Sequence, residues 1–594
     1  MKLGISKSKN SCSFYVQKSI RKADGVISTV IIERLGNIDE VRARANGADP
    51  YEWAQEYVDE LNRKEKDEKK EIIIPYSPRK LIGKNIQKSY NCGYLFLQDI
   101  YYRLGLDRIC AKISSRHGFE YDLNDILSRL VYTRIIYPGS KLSSYRLSRD
   151  FIEQPRFELH DIYRSLSVIS KESDYIQSEL FKNSEKLIKR DRQILYYDCT
   201  NYYFEIEEED RLRKYGKSKQ HQPLPLVGMG LFVDSDGIPM SFDIFPGNRN
   251  EQPTLKPLEE RIIANYGLKN VIVCTDAGLC SKTNRKLNNV TEDGVRKRSF
   301  ITTQPVKTLP DYLKEFALST EGWHLPDDSR TYSIEGKDND NNGEDRDTVY
   351  YKDRWITEDL TEAQKRRGVK PLEQHLIVSF SKKYREYQRK IREGQIDRAK
   401  KLISSGQYKK RGRNQNDPRR FICCEKITEY GETNLKEVAF LDTAAIEEEA
   451  RYDGFYAVCT NNSELGIKEV MEINKKRWQI EECFRIMKTD FRAMPVFVRK
   501  EDRIKAHFTT CFIALCIYRI LEKNLGEKYT CEQIIDTLAR MMMYRPGEKL
   551  GYIPAYTRTE LTDSLHEASC FRTDYEITSD IDMRRIIKKT KSKN

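Results

Sequence analysis

The stretch QILYYDCTNYYFE, residues 193–205, decides how the rest of the chain is read. ILYYD (194–198) is a short apolar run that ends on a carboxylate, which is the pattern of a buried strand. Further along, GMGLFVD (228–234) and MSFDIF (240–245) are two more strands. Ser235-Asp236-Gly237 between them has the residue types of a hairpin turn. PTLKPLEERIIANYG (253–267) has helical period, and VIVCTD (271–276) and SFITT (299–303) return to strand. Three strands in hairpin order, a helix and two further strands predict a mixed five-stranded sheet with helices on its faces.

That order is the order of a ribonuclease H-like α/β core, and it gives two carboxylates a special position. Asp198 ends the first strand and Asp276 the fourth, and in this order those strands are neighbours. One carboxylate at a strand end is an ordinary turn or cap residue. Two facing each other repel unless a divalent cation lies between them. A third carboxylate comes from INKKRWQIEECFRIMKTDF (473–491). At helical spacing Arg477, Glu481, Arg485 and Lys488 share one stripe, and Ile480, Phe484, Met487 and Phe491 form an apolar stripe beside it. The same stripe also suits a plain amphipathic helix with ion pairs one turn apart. Glu482, next to Glu481, competes for the role. Two Asp and one Glu make an oxygen-only donor set, suited to Mg²⁺ or Mn²⁺, and two such ions promote in-line attack on a phosphodiester. Arg477, Arg485 and Lys488 then stand where phosphates would be bound.

Outward from this core the chain divides by texture. Residues 1–90 hold alternating runs around a turn at Ala23-Asp24-Gly25 and a charged helix from about Pro50. Residues 91–190 are helical, broken at Tyr137-Pro138-Gly139-Ser140 with Ser140 as an N-cap, and are expected to bind DNA. The core occupies 191–303 and 446–525. Residues 304–445, charged and irregular, read as an inserted domain, and 526–594 end in a basic tail. Net charge is +13 over 594 residues, which suits a polyanionic partner. The run from Lys382 to Arg420 holds 15 Lys/Arg. Lys217 and Lys219, ahead of the second strand, and Asn201, just past Asp198, are further candidates for DNA contact. The cysteines form no CxxC pair, which argues against a zinc site. With 33% charged residues, no secretory leader and FIALCIYRIL (512–521) too short to span a membrane, a soluble, cytoplasmic, nucleoid-associated protein is expected.

Several segments together resemble insertion-sequence transposases of the IS4 superfamily, most closely the IS1634-like group. They are YYDCTNYYFE, YGKSKQHQPLPLVGMGLFVDSDGIPMSFDIFPGNRNEQPTL, VIVCTDAGLCS, SFITT, YDGFYAVCTN and RWQIEECFRIMKTDF, with RIIYPGSKLSSYRL and FVRKEDRIKAHF flanking. The family signature runs Tyr, two residues, Arg, three residues, Glu, six residues, Lys. Arg477, Glu481 and Lys488 match it, and Asn474 stands in the Tyr position. The resemblance implies a DDE transposase in which Asp198, Asp276 and Glu481 hold Mg²⁺ (or Mn²⁺), two ions in all. It further implies cut-and-paste cleavage at terminal inverted repeats of double-stranded DNA, strand transfer into target DNA, and a homodimer in the synaptic complex. In some relatives the insertion supplies a Trp that holds a flipped base. Trp355 and Trp323 are the candidates here, each with a packing alternative, whereas Trp478 reads as core. Two other functions remain open: a catalytically silent DNA-binding descendant, and a nuclease of the same fold without strand transfer.

Overall fold

The computed structural model describes the chain except residues 9–10, 22–26, 46, 69–73, 75–77, 80, 293–294, 327, 336–346, 409–415, 429–434, 549 and 593–594. It divides into two units, residues 1–86 with 546–550 and residues 87–545 with 551–594.

In the first unit, strands Lys2–Ser8, Ser11–Arg21 and Ile27–Asn37 pair antiparallel in chain order. Asn37 ends the sheet and starts the helix Ile38–Arg44, its side chain accepting from the N–H groups of Asp39 and Glu40. The charged helix follows at Pro50–Glu68. Phe14, Val16, Leu35, Val41, Ala54 and Val58 close a small core. The turn expected at Ala23-Asp24-Gly25 lies outside the described residues.

The second unit is built on one mixed sheet of eleven strands. The strands used below are β1 (Ile194–Tyr203), β2 (Leu226–Asp234), β3 (Pro239–Pro246), β4 (Val271–Thr275), β5 (Val295–Thr303), β6 (Trp323–Leu325), β7 (Asp328–Tyr332), β8 (Val349–Thr357), β9 (Glu373–Ser381) and β10 (Phe455–Thr460). Their order across the sheet is β7-β6-β8-β9-β10-β5-β4-β1-β2-β3, with the short strand Val290–Glu292 beside β5. β1, β2 and β3 are antiparallel neighbours, while β4 runs parallel to both β1 and β5. The five strands legible in the sequence are thus contiguous, and the sheet does not stop with them. β10 pairs antiparallel with β5, β9 with β10 and β8 with β9. Residues 304–445 therefore contribute strands to the core's own sheet. A five-stranded sheet ending on β5 would leave a row of open N–H and C=O groups; β10 covers that edge, and β9 and β8 carry the sheet on beyond it. The rest of that stretch includes a long basic helix and a separate hairpin, Ile422–Thr428 with Leu435–Leu441.

The helices that position the site are α1 (Leu123–Ile136), α2 (Leu255–Tyr266), α3 (Lys382–Ser404), α4 (Ile467–Lys475), α5 (Trp478–Arg485) and α6 (Glu501–Asn524). Strand alternation sorts β1 between two cores. Leu195, Tyr197 and Cys199 face Leu255, Leu258 and Ile262 of α2. Tyr196 and Tyr202 face the opposite side, where Ile480 and Phe484 of α5 and Phe508 and Phe512 of α6 pack. Ring contacts fix α6 on the sheet: Tyr202 to Phe508 at 4.8 Å and Phe242 to Phe512 at 5.2 Å. By length and composition α6 is the one helix among the described residues able to cross a membrane, and 94% of its apolar window is buried inside the protein. Phe512→Ala is expected to cost ~3–5 kcal/mol, the usual loss for a buried ring, read as a lower midpoint in urea unfolding. A change under ~1 kcal/mol would show that α6 does not hold the sheet as described.

Candidate active site

Asp198 and Asp276 are brought together by strand register. In the parallel pair β1–β4, Tyr197 lies opposite Thr275, and the two aspartates are the next residues along the chain, Asp198 within β1 and Asp276 just past the end of β4. Asp198 has the parity of Tyr196 and Tyr202, so it projects on the face that carries α5. One Asp198 carboxylate oxygen accepts from the N–H of Cys199 at 2.7 Å. Asp276 leaves β4 and caps the turn Ala277–Leu279, accepting from the N–H of Leu279 at 3.1 Å. A Cβ at Gly278 would sit 3.3 Å from both carboxylate oxygens of Asp276, so the glycine leaves that face uncrowded.

Burial pushes the Asp198 carboxyl up, to about 6. Lys219 opposes this, Asp276 reinforces it, and the Cys199 N–H and Arg477 pull it back. The like charge of Asp276 is the mark of two carboxylates competing for one space. The donor set and the open Asp276 face fit a hard divalent cation held by oxygen.

A cationic rim surrounds the pair. Lys219 donates from Nζ to the carbonyl of Cys199 and lies 3.7 Å from Glu251. Asn201 organises the segment that carries it, donating to the carbonyl of Lys217 at 3.0 Å and accepting from the N–H of Lys219 at 3.2 Å. Lys488 donates to Thr200 Oγ1 at 2.6 Å. Burial first and Lys219 second bring its ammonium down to about 8, against the pull of Asp198. Beyond Asn201 a groove of about 610 Å³ opens, lined by Lys217, Lys219, His221, Arg249 and Gly278 among others. Arg249 belongs to GNRNEQ (247–252), within the long family-like segment that precedes α2, where a lone arginine in a polar loop carries no signal of its own. Thr200 was missed too, because a threonine inside a strand carries no signal until its partner is known.

Glu481 lies apart from the aspartates. It is 57% exposed and paired with Arg477 at 3.1 Å, one helical turn back. Among the described residues no three His, Cys, Asp or Glu side chains are grouped closely enough to hold a metal. Arg477 links the two parts of the site. Burial works against its charge and is outweighed by Glu481, then Tyr456, Cys274 and Asp276. Glu482 points elsewhere. Arg485 binds it through two hydrogen bonds of 2.7 Å and reaches Asp490 at 3.0 Å. The predicted stripe of four charged residues therefore splits. A π-helical turn at Ile486–Asp490 takes more residues per turn than an α-helix, so the stripe falls out of step there: Lys488 reaches Thr200 while Arg485 stays with Glu482 and Asp490. The apolar stripe packs as expected, with Ile480, Phe484, Met487 and Phe491 all buried.

Asn474 donates to the Tyr456 hydroxyl at 2.8 Å, and that hydroxyl also lies 2.7 Å from Thr303 Oγ1. A tyrosine hydroxyl thus reaches residue 474 from β10. Trp323 is fully buried against Phe380 and Phe455, which is its packing alternative. Trp355 is 49% exposed and stacked on His375 at 5.0 Å. It sits on β8, four strand spacings from β4, roughly 19 Å along the sheet. Trp478 corrects the expectation of a core residue. It is 53% exposed, because it sits one step round the helix from the buried Gln479 and Ile480, beside Tyr351 and Glu481 in a cleft of about 590 Å³. Of the basic run, α3 is described and residues 409–415 are not; within it Arg392 pairs with Asp453 and Arg420 with Glu449.

No curated protein sequence matches the chain. A solved structure described as the piggyBac transposase synaptic complex with hairpin DNA is similar at 9% identity and a TM-score of 0.32, over 84% of this chain and 88% of that one. Residues 336–517, a span that holds Arg477, Glu481 and Lys488, match the family model described as a transposase DDE domain, and this match supports a DDE transposase.

Proposed function

We propose that the chain is an insertion-sequence transposase of the IS4 superfamily, IS1634-like, with a ribonuclease H-like core and Asp198, Asp276 and Glu481 as its catalytic carboxylates. The observation that carries this reading is the register of β1 and β4, which sets Asp198 beside Asp276 with Lys219, Lys488 and Arg477 around them. The DDE-domain match over the Glu481 helix supports it independently.

In this reading Asp198 and Asp276 hold Mg²⁺ or Mn²⁺, two ions in all, and Glu481 completes the set after leaving Arg477. Metal bound there supplies Lewis-acid polarisation of a phosphodiester and activation of an attacking water or 3′-hydroxyl. Arg477, Lys488 and Lys219 hold the flanking phosphates by charge-assisted hydrogen bonds. Asn201 and Lys217 shape the groove next to them, and Arg485, on the outer side of the helix, and Trp355 extend the contact surface. The helices of residues 91–190 bind the terminal inverted repeats of double-stranded DNA, and two chains pair to bring two ends together.

The test is incubation of the purified chain with DNA carrying its element's ends and Mg²⁺. Nicks or breaks at the repeat ends and 3′ ends joined to a target plasmid are expected, and chelation should abolish both. Cleavage without joined products would reduce the function to a nuclease. DNA binding without cleavage in either metal would leave the silent DNA-binding alternative.

A further inference from the structure

Tyr456 of β10 lines two clefts at once. One is the cleft of about 590 Å³ that also holds Arg477, Trp478 and Glu481. The other, of about 420 Å³, lies between the end of β5 and α3. Alternation along β10 sends Phe455, Ala457 and Cys459 into the core on one side of the sheet. Tyr456 and Val458 turn to the other side, where α5 packs. Tyr384 of α3 meets the Tyr456 ring edge-on at 6.3 Å. The hydroxyl lies 2.7 Å from Thr303 Oγ1 and accepts from Asn474 Nδ2 at 2.8 Å. Thr303 follows Thr302, whose hydroxyl donates to the carbonyl of Asp276 at 3.4 Å. The phenol therefore stands beside the strand end that carries Asp276.

The proton count at this hydroxyl decides what it can do. A phenol has one hydrogen to give and can accept others. The Asn474 amide is oriented by Cys274, whose thiol donates to Oδ1 at 4.0 Å. Nδ2 then faces Tyr456, and the phenol oxygen accepts there without spending its own hydrogen. Toward Thr303 either hydroxyl can donate. With Thr303 as the donor, both contacts are kept and the Tyr456 hydrogen is left for a third partner.

The cleft indicates what that partner is. Lys468, Lys475, Arg477, Glu472 and Glu481 are its charged lining. Burial opposes the charge of Arg477, and Tyr456 stands second after Glu481 among the groups that sustain it. With Glu481 turned to the aspartates, three cations stand against one carboxylate, next to a phenol with a hydrogen to give. A phosphodiester accepts from guanidinium and hydroxyl alike. We propose that the Tyr456 hydroxyl donates to a backbone phosphate of bound DNA beside Arg477, with Asn474 as the positioning residue that keeps the phenol hydrogen free for it. This rests on the transposase reading and adds a substrate contact to it.

The test pairs Tyr456→Phe with element-end DNA carrying single methylphosphonates, each of which removes the charge and one acceptor oxygen of one phosphate. In Mg²⁺, Tyr456→Phe should cleave unmodified DNA about tenfold more slowly or worse, the usual loss for a hydrogen bond to a charged group. At one position the methylphosphonate should slow the wild type by a similar factor and Tyr456→Phe by less than about twofold. Other sensitive positions should keep their full penalty in both proteins. A tyrosine with a structural role alone lowers every rate and leaves every positional penalty intact, and that result overturns the proposal. Wild-type rates in Tyr456→Phe overturn it as well. Should Tyr456→Phe not fold, the wild-type complex with uncut DNA in Ca²⁺ decides. A phosphate oxygen about 3 Å from Tyr456 Oη upholds the contact, and a hydroxyl with no phosphate in reach overturns it. Wild-type protein that neither cuts nor joins element ends brings down the transposase reading, and this contact with it. Wild-type cleavage without a position-specific loss in Tyr456→Phe brings down the contact alone.

Discussion

Asp198→Asn protein should bind element-end DNA, leave it uncut, and at neutral pH unfold at a higher temperature than the wild type. The loss of cleavage follows from the donor set. An amide removes the negative charge that a hard cation needs, and with it the polarisation of the scissile phosphate. A fall of roughly a thousandfold or more is expected, comparable to removing a principal charge-stabilising group from other active sites. The gain in stability follows from burial. Asp198 is held up to about 6, above the ordinary 3.8 of an aspartate, chiefly because its carboxylate is poorly solvated. A raised folded-state value means that the folded protein holds this proton over a pH range where the unfolded chain has released it. Stability therefore falls as pH rises from about 4 through about 6, and the full penalty applies above that. At pH 7.5 the penalty is ~2 kcal/mol after allowance for partial solvent access. Asn carries no charge and escapes it. The two proteins should unfold alike near pH 4 and diverge above pH 6, as read by differential scanning calorimetry in chelator. A variant that cleaves at the wild-type rate refutes the catalytic assignment. A variant equally or less stable at pH 7.5 refutes the electrostatic account of the site.

Much of this site was legible because its main signals are local. A short apolar run ending in Asp is visible in ILYYD and again in VIVCTD, and strand order then makes the two residues neighbours. The hairpin at Ser235-Asp236-Gly237 is equally local: the Asp234 carboxylate accepts from the N–H groups of Asp236 and Ile238, and Gly237 takes a positive φ of 71°. What escaped was non-local. Nothing in EQHLIVSF (373–380), inside the expected inserted domain, says that it joins the core's sheet beside GFYAVCT, since strand partners are chosen by which edge is open. The direction of Lys488 escaped as well. Helical spacing assumes 3.6 residues per turn, and the π turn at Ile486–Asp490 departs from it. Trp478 misled for a related reason. Trp is highly buried on average, but the buried face of α5 is already filled by Ile480, Cys483 and Phe484.

Glu481→Gln should reduce cleavage by roughly a hundredfold or more, and Glu482→Gln by less than about threefold, although the two residues are adjacent. The separation of Glu481 from the two aspartates is the reason to measure both. Its present partner is Arg477, at 3.1 Å on an exposed helix face. Such a one-turn pair is worth only ~0.3–0.5 kcal/mol, so it yields readily to a divalent cation. Arg477 is already within the field of Asp276 and Glu481 together. When the carboxylate leaves it, its guanidinium becomes free for a phosphate at the same place. Glu482 has no comparable freedom. Both of its oxygens are taken by Arg485, which Asp490 holds in turn, on the side of the helix away from Arg477. Moving it to the aspartates would break a bidentate pair and carry it round the helix. Calorimetric titration with Mn²⁺ on unreacted protein separates catalysis from folding. Glu481→Gln should weaken binding about tenfold or more with an unchanged thermal midpoint in chelator, and Glu482→Gln should leave binding unchanged. Loss of cleavage and metal binding in Glu482→Gln, with Glu481→Gln fully active, would transfer the role to Glu482 and require α5 to turn before DNA is cut.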